Sequence, residues 1–322
     1  MKHIGIFCGG FSSEYEISLK SAETIINNLP NSYLGIKIIV SKNNWEVQHN
    51  NYSGHFDLNT GLVHLSSGES IKIDGAIIYI HGDPGENGKI QALFDILGIP
   101  YINSNVLASA LSFDKWFCNQ FLKSFGIPVA QSIQLKKGQT MNPNLIVKEL
   151  GLPLFIKPTD SGSSYGISKV TREDEIPQAL VIAFNEGDTV VIESFLNGIE
   201  VTCGVYRNGR NTIALPLTEI VSDNEFFDYD AKYNGKSNEI TPARIPNDST
   251  TLIQTQSKQI YELLGLKSIA RIDFMLVDKV PYLIEVNTTP GFSSESIVPK
   301  MLKEAQISIK EFWGSILMTE LP

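Results

Sequence analysis

Short, wholly apolar runs alternate with amphipathic stretches through the first hundred residues. Residues 3–9 (HIGIFCG) read as a buried strand, 14–29 (EYEISLKSAETIINNL) as an amphipathic helix, and 35–40 (GIKIIV) as a second strand. Residues 42–70 are polar, rich in Asn, Ser and Gly and poorly periodic, with a small hairpin expected from Trp45–His49 and Leu62–Leu65. A third apolar strand, 75–80 (GAIIYI), runs into a Gly/Pro loop, 81–88 (HGDPGENG), and then a helix at 89–98. Strand and helix alternating through short loops predict a parallel sheet with helices on both faces, an α/β unit. Ligands in such sheets sit beyond the strand C-termini, where Gly9-Gly10 and 81–88 fall.

From about residue 112 the pattern changes. A helix is expected at 113–126, closed by Gly126. Strands follow at 152–158, 167–170 and 189–196, with a helix at 173–185. Residues 200–221 predict an antiparallel hairpin turning at Asn208-Gly209. A long aromatic and charged loop spans 222–247, then a helix at 251–265 and a hairpin of 270–276 with 281–287. This half is α+β.

Composition narrows the classes. The 322 residues set a prior of about two domains. A net charge of −9 gives no electrostatic footprint for nucleic acid. Three scattered cysteines, with no CxxC, indicate neither a disulfide framework nor a cysteine zinc site, and a reducing cytoplasm is the simplest reading. The opening MKHIGIFCGG is too short for a signal h-region, and no apolar run is long enough to span a membrane. All five histidines lie in the first quarter of the chain; HExxH, GxxxxGK[ST] and GxGxxG are absent.

The candidate chemistry gathers on three segments. In RIDFML and YLIEVN, residues two apart share a face, so a hairpin brings Asp273 beside Glu285 and Asn287, with Arg271 on the same surface. Leu283 is expected on that face, with Ile284 and Val286 packed behind it. Two carboxylates and an amide oxygen make a hard-oxygen set suited to Mg²⁺, completed by phosphate oxygens and water. A solvated polar hairpin face is the plain alternative. In FIKPTDSGSSYGISKV, Lys157 ends an apolar strand at the sheet edge, and the Ser/Gly run at 161–164 lets backbone N–H groups approach phosphate. Glu193 ends a strand, with Phe195, Leu196 and Glu200 beyond it, where backbone groups and a carboxylate could read adenine and ribose; a plain solvated carboxylate is the alternative. In the first unit, Glu14 sits where it either caps a helix or grips an ammonium group. His81 follows a buried strand, where it either orients a substrate group or caps the loop, and Glu86 reads as a loop carboxylate with a structural or domain-contact role. Residues 226–246 are long enough for a lid, with a mobile surface loop as the alternative.

The motifs GGFSSEYEIS, HGDPGENG, KPTDSGSSYGISKV, DYDAKY, RIDF and LIEVNTTPGFSSES, in this order, resemble those of the D-alanine–D-alanine ligase family of the ATP-grasp superfamily. The resemblance covers Ile4 to Ser296. It implies an N-terminal α/β domain (1–111), then a two-subdomain ATP-grasp fold: a central subdomain (112–202) and a C-terminal one (203–322). It implies ATP held by Lys115, Lys157, Ser164, Glu193, Phe195, Leu196 and Glu200. Two Mg²⁺, or Mn²⁺ in their place, would be held by Asp273, Glu285 and Asn287. Glu14, Ser163, Tyr233 and Arg271 would act on the substrates, with His81, Gly291, Ser296 and Ile297 lining their site. The implied activity is ATP-dependent joining of two D-alanine molecules through a D-alanyl phosphate, for peptidoglycan precursors, by a cytoplasmic homodimer. A relative using D-serine or D-lactate as second substrate, and a nucleotide-binding module without turnover, are the competing readings. Tyr15 stands where the family commonly has Arg, and Glu295 where many members have other polar residues, often His.

Overall fold

The computed structural model describes residues 1–160, 165–222 and 237–321. Three sheets carry the chain.

The first sheet has eight strands: β1 (Lys2–Gly9), β2 (Tyr33–Val40), β3 (Trp45–His49), β4 (Tyr52–Asp57), β5 (Leu62–Leu65), β6 (Ser70–Lys72), β7 (Gly75–Ile78) and β8 (Tyr101–Ile102). Their order is β6-β5-β4-β3-β2-β1-β7-β8. Only β2, β1, β7 and β8 run parallel, so the expected parallel sheet is a mixed one with an antiparallel wing. The expected hairpin of Trp45–His49 with Leu62–Leu65 is also corrected, because β4 lies between them. Phe56 is the one buried residue of β4, too faint a pattern to mark a strand. At the end of β1 the backbone turns through Gly10 at φ +98°, where a Cβ would stand 2.3 Å from the Ile80 side chain. Helix α1 (Tyr15–Asn27) follows, burying Ser18, Ser21, Ala22 and Ile25. Helices α2 (Lys89–Leu97) and α3 (Val106–Phe113) complete this part.

The expected helix at 113–126 is α4 (Lys115–Lys123). Asp114 breaks it from α3 by capping the Phe117 N–H at 2.9 Å. The second sheet is antiparallel, in the order β11-β10-β12-β9, from β9 (Ser132–Lys136), β10 (Leu154–Pro158), β11 (Ser168–Val170) and β12 (Thr189–Ser194). Leu154, Ile156, Val190 and Ile192 pack on Ile146 and Leu150 of α5 (Pro143–Leu150) and on Ile176, Ala179 and Ala183 of α6 (Ile176–Glu186). That cluster is drawn wholly from this sheet and its two helices.

The third sheet is built from β13 (Ile199–Asn208), β14 (Asn211–Ala214), β15 (Thr218–Ser222), β16 (Ser237–Ile240), β17 (Ile269–Val277) and β18 (Val280–Asn287). The order is β16-β15-β13-β17-β18, with β14 folded onto β13 through the expected Asn208-Gly209 turn. Helix α7 (Asn247–Leu263) packs on it, as do α3 and α4. The last helices, α8 (Ile297–Glu304) and α9 (Ile309–Glu320), turn away from this core. Their Val298, Met301, Phe312, Trp313 and Ile316 join Ile4, Ile6, Ile25 and Tyr79 in one cluster, which fastens the last part of the chain to the first sheet.

Candidate functional site

A cleft of about 520 Å³ opens where the three sheets meet. Each contributes a wall, and the alternation of strand residues decides which side chains face it.

From the second sheet, Phe155 and Glu193 stand opposite one another, as do Lys157 and Val191, so these four share a face. The other face is the core of Leu154, Ile156, Val190 and Ile192. Lys157 meets Glu193 at 2.6 Å, with the residues only 7% and 9% exposed. The expectation that Lys157 stands at a sheet edge is corrected: β10 is interior, flanked by β11 and β12.

From the third sheet, Asp273 lies opposite Glu285 and Arg271 opposite Asn287. The Arg271 guanidinium holds both oxygens of Asp273, Nε to Oδ1 at 2.9 Å and Nη2 to Oδ2 at 2.7 Å. Asn287 donates its amide to Asp273 Oδ2 at 3.0 Å, and Thr202 donates to Oδ1 at 2.5 Å. Lys115, at the start of α4, lies 3.3 Å from Glu285. Burial alone would lower the Lys115 ammonium. Glu285, with Glu193 and Glu86 behind it, holds it above the usual lysine range. A register shift follows Asp273, so Phe274 pairs with Leu283 and the strand gains a residue. Leu283 joins the core with Phe274 and Val286 and also lines the cleft, as does half-buried Ile284. The expectation that Ile284 packs into the core behind the face is thereby corrected.

From the first sheet come Glu14, Ile17 and Lys20 around the start of α1, with His81 and Glu86 from the loop after β7. His81 is 4% exposed. Burial pushes its imidazole below the ordinary range, against the pull of Glu14. Glu86 accepts the Gly82 N–H at 2.8 Å and the Thr289 N–H at 3.1 Å. Burial pushes its carboxyl up to about 8.

The segment after β18 forms the floor. Asn103 donates to the Thr289 hydroxyl at 3.0 Å, and Tyr79 donates its hydroxyl to Pro290 O at 2.7 Å. The Phe292 N–H donates to Ser21 Oγ at 3.1 Å. Gly291, Ser296 and Ile297 line the cleft beyond.

The sequence model for the D-Ala–D-Ala ligase N-terminus matches residues 3–104, and that for its C-terminus matches residues 121–318. The D-alanine–D-alanine ligase of Parabacteroides distasonis is 43% identical, over 99% of this chain and 98% of that one. The Flavobacterium johnsoniae D-alanine–D-alanine ligase is 43% identical over the whole of both chains. The chain belongs to the D-alanine–D-alanine ligase family. Among solved structures, the D-alanyl-alanine synthetase A of Vibrio cholerae superposes with a TM-score of 0.88 at 30% identity, covering 99% of this chain and 98% of that one. The Bacillus anthracis D-alanine–D-alanine ligase complexed with ATP gives 0.81 at 30% identity, covering 100% and 98%. The VanG D-Ala:D-Ser ligase of Enterococcus faecalis gives 0.85 at 29%, covering 99% of each chain. The expected fold class, an α/β unit followed by the α+β ATP-grasp arrangement, is the one these ligases share with this chain.

In this member of the ligase family, the cleft gathers Glu14, His81, Lys115, Lys157, Glu193, Leu196, Glu200, Arg271, Asp273, Glu285, Asn287, Gly291, Ser296 and Ile297. Phe195 is not brought in with them. Its ring lies against Phe155, centroids 5.9 Å apart, with the Lys169 ammonium 5.1 Å from its centre. Ser163, Ser164 and Tyr233 lie outside the described residues, as do residues 226–236 of the expected lid, while its residues 237–240 form strand β16 rather than loop. Ile17, Lys20, Phe155 and Glu239 are cleft residues that the sequence reading did not single out. Ile17 and Lys20 follow Glu14 at helical spacing and were findable; Glu239 sits in a polar stretch without a periodic signal.

Proposed function

We propose that this protein joins two D-alanine molecules into D-alanyl-D-alanine, with ATP converted to ADP and phosphate, for peptidoglycan precursors. One observation carries the reading: a single cleft brings Glu14, the Lys157–Glu193 pair and the Arg271–Asp273–Glu285–Asn287 face together. The divisions 1–111, 112–202 and 203–322 belong to the same reading, supported by the three separate sheets, the last boundary falling within β13 (Ile199–Asn208); so do a cytoplasmic location and a homodimer. Among the described residues no helix is long and apolar enough to cross a membrane.

In the first step a carboxylate oxygen of the donor D-alanine attacks the γ-phosphorus. The bond to the β-phosphate oxygen breaks, ADP leaves, and an acyl phosphate forms. Lys157 and Lys115 offset charge on the phosphates, and Glu193, Leu196 and Glu200 hold the nucleoside end. In the second step the neutral amine of the acceptor attacks the acyl carbon, the tetrahedral oxyanion collapses by breaking the bond to the phosphate oxygen, and the proton shed by the nitrogen leaves with the phosphate. Arg271, held in plane by Asp273, and the backbone near Gly291 face that oxyanion. Glu14 grips the donor ammonium, with His81 beside it; Ser296 and Ile297 position the acceptor. Phe195, Ser163, Ser164 and Tyr233 are assigned by the resemblance alone.

The donor set on β17 and β18 fits divalent cations. Two carboxylates and an amide oxygen leave most of an octahedron to phosphate oxygens and water, as Mg²⁺ prefers. Asp273, Glu285 and Asn287 would hold two Mg²⁺, with Mn²⁺ able to replace them. When bound, the cations neutralise phosphate charge and polarise the γ-phosphate.

The test is phosphate release from ATP and Mg²⁺ with D-alanine, L-alanine, D-serine or D-lactate, with product masses taken. D-alanine-dependent release with a D-alanyl-D-alanine mass is expected. No D-alanine-dependent release from folded protein overturns the reading, and a mixed product with D-serine or D-lactate moves it to a different acceptor.

A further inference from the structure

One carboxylate of the cleft wall, held in an ion pair from behind, is used by none of these steps. Glu239 lines the cleft from edge strand β16, and its carboxylate lies 2.9 Å from the ammonium of Lys300 on α8. The two side chains are only 18% and 39% exposed. Lys300 lies one helical turn beyond Ser296, and its N–H donates to Ser296 O at 3.4 Å. The pair thus joins β16 to the helix whose first residues, Ser296 and Ile297, line the same cleft.

We propose that Glu239 and Lys300 form a charge-balanced positioning pair that sets the affinity for the acceptor amino acid, through its carboxylate. The inference rests on the proposed ligation. A mostly buried carboxylate in a cleft wall repels a substrate carboxylate, and the interaction is stronger there than in water. Lys300 cancels that repulsion and leaves the acceptor carboxylate a neutral wall. Neither residue touches the reacting atoms; both act through the field at the acceptor end.

The test is steady-state kinetics of the full chain with Glu239→Gln, Lys300→Met and the double variant. The dependence of rate on D-alanine is fitted with two constants, donor and acceptor. Lys300→Met is expected to raise one D-alanine constant about tenfold, the equivalent of about 1.4 kcal/mol. Glu239→Gln is expected to lower the same constant, and the double variant to return it to within about threefold of the starting value. The constant for ATP is expected to stay within twofold throughout. A mere structural brace moves both single variants in the same direction, and that result overturns the proposal, as does no change in either. Lys300→Arg keeps the charge and is expected to keep the constant. If Lys300→Met does not fold, a rise of that constant in Lys300→Arg overturns the proposal, and its retention beside a fall in Glu239→Gln upholds it. Absence of D-alanine-dependent phosphate release by the unaltered protein is a separate outcome, which removes the ligase reading itself.

Discussion

The carboxylate of Glu86 accepts the backbone N–H of Thr289 across 203 residues of chain, at 3.1 Å. The loop after β7 is thereby joined to the segment that leaves the carboxylate hairpin. Glu86→Ala removes the acceptor for this N–H and for that of Gly82. Each buried donor left unsatisfied costs about 1–3 kcal/mol. The variant is expected to melt several degrees lower and to lose turnover with it. An unchanged melting temperature contradicts the role given to Glu86.

Lys157 and Glu193 form the most enclosed ion pair of the cleft wall. Removing one partner leaves a buried charge, a loss of about 3–5 kcal/mol for such pairs. Lys157→Met is expected to destabilise the protein more than Lys157→Met with Glu193→Gln, while both lose ATP binding. Thermal melting with and without ATP separates the two effects. Equal stability of the single and double variants counts against the coupling.

Arg271 makes a two-pronged contact with Asp273 that a lysine cannot reproduce. Arg271→Ala is expected to lower turnover by about 10²-fold or more, as loss of an oxyanion donor does. Arg271→Lys is expected to recover little of it. A loss under tenfold in the alanine variant removes Arg271 from that role.

The C-terminal helix adds a pH dependence of stability. Glu320 of α9 accepts the backbone N–H of Ser268, and burial pushes its carboxyl up to about 7. Unfolded, this group titrates near 4.5, so the folded chain binds the proton more tightly. The resulting stability is complete below about pH 4.5 and is lost as pH rises through about 7. Glu320→Gln is therefore expected to melt higher than the unaltered protein at pH 8, with the gap closing toward pH 5. A gap that does not change with pH assigns no titration to Glu320.

The three cysteines are buried, and burial pushes each thiol up to about 12. Thiolate is the reactive form, so alkylation at pH 8 is expected only after denaturation. Mass spectrometry of the folded protein after iodoacetamide checks this; rapid modification of Cys203 places it outside the core.

The sequence is legible where one period dominates. The apolar run of β1 and the two-residue spacing of Asp273 with Arg271, and of Glu285 with Asn287, each mark an element and a face. Legibility fails where burial is one-sided or sparse. Strand β4 buries Phe56 alone, and β9 buries Leu135 alone, so neither shows a clear alternation. It fails again at the irregularity after Asp273, which turns Ile284 from the expected core position toward the cleft. Pairings across the chain, such as Glu86 with Thr289 and Glu239 with Lys300, depend on how the sheets are brought together. No local pattern carries that.

The core in which Trp313, Phe292 and Tyr79 meet has a mechanical meaning. It welds the first sheet and the closing helices into one block, and the hydrogen bonds of Thr289, Pro290 and Phe292 rivet the cleft floor to that block. The second sheet keeps its own sealed interior, so swinging it outward exposes none of those apolar side chains. The cleft is a vice whose two jaws are built differently: one, bearing Glu14 and the carboxylate face, is welded to that block, and the other, bearing Lys157 and Glu193, carries a core of its own and is pinned by the Lys115 N–H to Thr159 O.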